Sequence, residues 1–188
     1  MPQMVFEYIL KKNNIDPKKE VSIIQNIDFG LTAEAFASGD EDYTIEFEPS
    51  AEALEAEKKG KVVASLGVES GLVPYTAYCA KKSYLNKNPE IIQGFVNAIQ
   101  KGLEFVAENT PETIADVIQP QFPETKKESL VNIVTRYYNQ NTWKENSIFE
   151  EESFLLLEDI LMEAEVLEEK VPYENLVTTE FSQAAIKE

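Results

Sequence analysis

The chain changes character once, near residue 80, and that change constrains the fold more than any other feature. Up to Ala80, short runs rich in β-branched and aromatic residues alternate with segments of helical spacing. Val21-Ser22-Ile23-Ile24-Gln25, Tyr43-Thr44-Ile45-Glu46-Phe47, Lys61-Val62-Val63-Ala64-Ser65-Leu66 and Pro74-Tyr75-Thr76-Ala77-Tyr78-Cys79-Ala80 read as strands. Helices are expected over 2–13, over 31–38, and from Pro49 to about Lys59, where Gly60 stops the last of them. Such alternation predicts a mixed, mostly parallel sheet flanked by helices, an α/β architecture. From Asn88 onward the pattern is helical. Ile91, Ile92, Phe95, Val96, Ile99, Leu103 and Val106 recur at helical spacing over 89–109. Thr110 is placed to cap a following helix. Further helices fit 125–140 and 150–168, and 171–188 reads as a loop with a weakly amphipathic tail. The C-terminal half is therefore expected to be mostly helical.

Composition narrows function before any motif does. Seventeen Lys and Arg against 34 Asp and Glu leave a net charge of −17 over 188 residues. That balance opposes nucleic-acid binding, which needs clustered cations for phosphate contacts, and opposes docking on an anionic membrane. Histidine is absent, which removes His general bases, His-dependent nucleophile triads and His-ligated metals. A single cysteine, Cys79, cannot form an internal disulfide or a CxxC site, and it reads as a buried strand residue. No run of about 18 apolar residues is present to span a membrane. The N-terminus lacks the basic and apolar regions of a signal peptide. These exclusions turn the question from catalysis to binding, with no cofactor and no metal expected.

Candidate binding groups cluster at the ends of the expected strands, where open α/β sheets place their ligands. Glu48 ends Glu46-Phe47-Glu48 just before Pro49; it would either accept hydrogen bonds from a ligand or cap the next helix. Asp28 follows the first strand and suits a helix N-cap or a ligand contact. Phe29 beside it would stack on a planar ligand or pack in the core. The first helix starts at Met1-Pro2-Gln3-Met4, with free N–H groups that either bind an anion or meet solvent. The 67–75 loop has no phosphate-binding glycine pattern. Tyr137, Tyr138, Trp143 and Phe149 read as helix packing, and the acidic run 150–169 as a solvated helix face around Phe154, Leu157, Ile160 and Leu161. No GxSxG elbow is present, and there is no histidine to activate Cys79.

Met1-Pro2-Gln3-Met4-Val5-Phe6-Glu7, Asn14-Ile15-Asp16-Pro17, Ala35-Phe36-Ala37-Ser38-Gly39, Phe47-Glu48-Pro49, Val62-Val63-Ala64-Ser65 and Val73-Pro74-Tyr75-Thr76 form an ordered series of weak motifs. With Asn88-Pro89-Glu90-Ile91-Ile92, Phe95, Ala98 and Lys101-Gly102, the series resembles ABC-transporter substrate-binding proteins of the nitrate/sulfonate/taurine class. That class includes binders of thiamine-precursor pyrimidines and is related to fungal pyrimidine synthases.

The resemblance implies a type II periplasmic-binding-protein lobe and a two-lobed parent architecture that closes on a ligand. Residues 1–73 would be the second α/β lobe. Residues 74–188 would be a crossover strand and helices returning to a first lobe that this chain lacks. Helices that normally cover such a lobe would expose apolar faces, so a non-native or swapped dimer is expected. The resemblance implies capture of a small organic solute, such as a sulfonate, a nitrate-like anion or a pyrimidine precursor. Gln3, Met4, Asp28, Phe29, Glu48 and Tyr75 would line the cleft. An ABC permease would be the partner, and the full-length form an extracytoplasmic, membrane-anchored lipoprotein. Two alternatives share the fold: an effector domain of a transcription regulator, and a pyrimidine synthase, whose family chemistry depends on the histidine this chain lacks.

Overall fold

A computed structural model describes residues 1–187. Among these residues every regular element is a helix. In chain order they are α1 (Pro2–Lys12), α2 (Thr32–Ser38), α3 (Ser50–Ala56), α4 (Leu66–Ser70), α5 (Lys82–Lys87), α6 (Pro89–Glu108), α7 (Pro111–Ile118), α8 (Lys127–Asn139), α9 (Glu151–Glu163), α10 (Tyr173–Leu176) and α11 (Glu180–Ala185). Single 3-10 turns precede α2 at Phe29–Leu31 and follow α7 at Gln119–Gln121.

The expected mostly parallel sheet is overturned. Residues 21–25, 43–47, 61–65 and 73–80 carry the β-branched alternation and lie outside the helices, but no strand is assigned to them. No backbone ladder joins them among the described residues. A ladder needs a second extended chain about 4.8 Å away and in register, which local alternation cannot supply. The partners that backbone groups of these stretches find are local backbone groups or side chains: the Phe47 carbonyl accepts from the Ala51 N–H at 3.1 Å, and the Val73 N–H donates to the Gly71 carbonyl at 2.8 Å. The Val62 N–H donates to Glu55 Oε1 at 2.8 Å, and the neighbouring Glu48 N–H to the Tyr137 hydroxyl at 3.3 Å. Much of the remaining backbone lies at the surface, where water can serve it. Cys79 is exposed rather than buried.

The helices follow the sequence closely. Pro2 and Pro89 occupy first helical turns, where the missing N–H costs nothing. Asn14, at φ 60°, turns the chain out of α1 in the left-handed region that Asn tolerates. Thr110 caps α7 by accepting from the Thr113 N–H at 3.4 Å. A buried core joins α7 to α8: Ile114, Ala115, Leu130 and Val134 are buried, with Phe105, Val106, Ile118, Val131 and Trp143 against them. The C-terminal α11 lies along α6, where Gln93 Nε2 donates to the Phe181 carbonyl at 2.9 Å. The expected tail over 171–188 contains α10 and α11, and its last residue, Glu188, lies outside the described residues. On the other side α1 meets α4 and α9. Lys12 Nζ donates to the Glu69 carbonyl at 3.1 Å, and Lys11 pairs with Glu163 at 3.4 Å. Finally, α3 packs on α8, which places the corner at residues 46–49 against the helical half.

Candidate functional site

Three rings far apart in sequence meet beside that corner. The Phe47 ring lies 5.3 Å from Phe29, near-perpendicular at 71°, and 5.1 Å from Tyr75, tilted at 51°. Edge-to-face and tilted arrangements at such distances suit the ring quadrupoles. The outer rings are only half covered: Phe29 is 51% exposed and Tyr75 64% exposed. Phe29 opens a 3-10 turn, and Phe47 and Tyr75 lie in segments outside the helices. The result is an aromatic face with one supported ring at its centre and two rings open to solvent.

Phe29 and Tyr75 were expected at a binding site, and the fold brings them together through Phe47, which the sequence reading did not single out. The other expected residues go elsewhere. Gln3 is exposed and its amide donates to Glu7 Oε1 at 2.7 Å within α1. Met4 is half-buried on the same helix, and neither residue belongs to the ring set. Asp28 is exposed beside Phe29; its backbone carbonyl accepts from the Leu31 N–H at 2.8 Å, and its carboxylate makes no cap bond. The Glu48 carboxylate turns away from the rings into a buried ion cluster.

That cluster is the main feature the sequence reading missed. Arg136, the single arginine in the sequence, pairs through its guanidinium with Glu48 and Glu55, and lies 3.6 Å from Glu52. The side chains of Glu48 and Glu52 are almost fully buried. Every carboxylate oxygen of the three has a partner. Glu48 Oε2 accepts from the Glu52 N–H at 2.9 Å, Glu52 Oε1 from Asn132 at 3.0 Å, and Glu55 Oε1 from Val62. Such full pairing is what a buried ion group needs if desolvation is not to outweigh attraction. One signal was available: Glu48, Glu52 and Glu55 are spaced to share one helix face, and one arginine answers them from α8. Beside it, burial pushes the Tyr137 phenol above its ordinary value, opposed by its bond to the Glu48 backbone. A shallow groove of about 470 Å³ opens over the cluster between α3 and α8. Its charged groups, Glu52, Glu55 and Arg136, are paired with one another, so it reads as a structural seam.

Among the described residues no group of three or more Cys, Asp or Glu side chains is placed to hold a metal ion. Cys79 is exposed, with only the Ala77 carbonyl at 3.8 Å as a partner. No helix of the described residues is long and apolar enough to cross a membrane.

Comparison with known proteins gives the family. Residues 2–113 match the family described as NMT1/THI5 like, and the chain belongs to that family. It is 39% identical over all 188 residues to a Bacillus subtilis (strain 168) protein named "Putative binding protein YtlA", and spans 56% of that relative's length. No solved structure matches the chain. Family and relative together support a solute-binding role.

Proposed function

We propose that the chain binds a small organic solute at the Phe29–Phe47–Tyr75 face, as part of a two-lobed solute-binding protein serving an ABC importer. The observation that carries this is the ring set itself: three aromatic side chains from separate segments converge, yet the outer two stay open. Leaving these two rings half exposed gives up part of the roughly 1.5–3 kcal/mol that full burial of a large apolar side chain contributes. An exposed aromatic face of this kind suits a flat or apolar ligand part. Asp28 beside Phe29 would accept hydrogen bonds from donors on that ligand.

In this reading residues 1–73 supply Phe29 and Phe47, and 74–188 supply Tyr75 and the connection to the first lobe, which closes over the rings. Its partner would be a permease, and its site of action extracytoplasmic. The test is calorimetric titration of the chain with a panel of sulfonates, pyrimidines and amines. Saturable binding by one class, weakened at least tenfold by Phe47→Ala and by Tyr75→Ala but not by Gln3→Ala, is the expected result. Equal affinity in all three variants would remove the site from this face.

A further inference from the structure

The ligand reading leaves open what holds the central ring, and the following inference rests on that reading. The segment that carries Phe47 has no strand beside it. Its next residue, Glu48, is instead gripped by two consecutive residues of α8. Arg136 takes the carboxylate, and the Tyr137 hydroxyl accepts from the backbone N–H at 3.3 Å. That N–H belongs to the peptide whose carbonyl side is Phe47, so the bond fixes the plane from which the ring departs. Both helical residues are anchored in turn: Arg136 by Glu52 and Glu55 of α3, and Tyr137 by a near-perpendicular contact with Trp143 at 5.8 Å.

We infer that Arg136 and Tyr137 are positioning residues for the aromatic face: they hold the Phe47–Glu48 peptide on α8 and so set the ring between Phe29 and Tyr75. They touch no ligand themselves. Ring contacts at 5.1 and 5.3 Å depend steeply on placement, so a small displacement of this peptide would open the set.

The test needs no ligand. The full chain is labelled with 4-fluorophenylalanine at Phe47 and, in a second sample, at Phe154. Phe154 sits in a separate ring cluster with Phe149 and Tyr173. Fluorine NMR is then recorded for the native chain, Tyr137→Phe, Arg136→Gln and Arg136→Lys. The expected result is a Phe47 resonance that moves toward the solvent-exposed value in Tyr137→Phe and in Arg136→Gln, with partial return in Arg136→Lys, while Phe154 stays fixed. An unmoved Phe47 resonance in Tyr137→Phe, which keeps its ring against Trp143, would overturn the inference. So would equal shifts at Phe47 and Phe154, which signal general loosening. A selective Phe47 shift in a chain that binds none of the solute panel would refute the ligand reading and leave the positioning intact.

Discussion

Arg136 meets three carboxylates with one positive charge, in a region where two of them are almost fully buried. Removing the guanidinium would leave those carboxylates buried and unpaired, the costly way to break such a group. Arg136→Met is therefore expected to lower the unfolding free energy by roughly 3–5 kcal/mol. Urea denaturation followed by circular dichroism measures it, and a loss below about 1 kcal/mol, the range of an exposed ion pair, would show the cluster to be solvated. Its neighbour Tyr137 adds a pH dependence. Burial raises its phenol above the ordinary value, so the folded state keeps a proton that the unfolded chain has released. That stability is fully present below the ordinary phenol value, about pH 10, and is lost as pH rises through the folded-state value. The unfolding free energy is expected to fall over that window by more in the native chain than in Tyr137→Phe; parallel slopes would contradict it. At this scale the sequence was half legible. Strand-end position pointed to Phe29 and Glu48, and the family resemblance to Tyr75, but a carboxylate's direction depends on which cation the fold brings to it. Here Arg136 arrives from 88 positions away and takes Glu48 out of the ring face.

Helical elements were legible because their signals are local. The period of apolar residues marks α6, and the Thr110 cap marks the start of α7. Strand signals were legible only as non-helical backbone, since pairing is a property of two segments and no ladder forms here. The short α4 was hidden by Gly67 inside it and Gly71 just past its end, although Ser65 caps it by accepting from the Val68 N–H at 3.3 Å. Two substitutions test the helical half. Leu130, 3% exposed in the α7–α8 core, is expected to cost about 2–5 kcal/mol as Leu130→Ala. Gly94 lies inside α6 with nothing within 4 Å of where a Cβ would stand. Gly94→Ala should stabilise the isolated chain by about 0.5–1 kcal/mol through the lost backbone entropy of glycine. Thermal melts of the two variants decide both signs, and a destabilised Gly94→Ala would mean that something packs on this face of α6 in solution.

For the whole molecule, two long-range terms oppose each other. Tyr43, Tyr78, Val63 and Leu72 are each more than two-thirds exposed, and Tyr78 meets Phe95 of α6 ring to ring at 4.8 Å, with Phe95 itself 44% exposed. Apolar area of this extent favours association, at about 25 cal/mol for each Å² removed from water. Against it stands a net charge of −17, which makes copies of the chain repel. Salt acts on these terms unequally. It shortens the screening length from about 10 Å at 0.1 M to about 3 Å at 1 M and leaves the apolar term in place. Self-association is therefore expected to increase with salt, the reverse of a complex held by ion pairs. Sedimentation velocity between 0.05 and about 1 M sodium chloride tests this, the range being chosen to span the change in screening. Tyr78→Ser should weaken the association at every salt concentration, because it removes apolar area without changing charge. A chain that stays monomeric throughout would show that these side chains fold back on the molecule in solution. The net charge was readable from composition, but the apolar surface was not: the same tyrosines and valines would be buried if their segments had paired into the expected sheet.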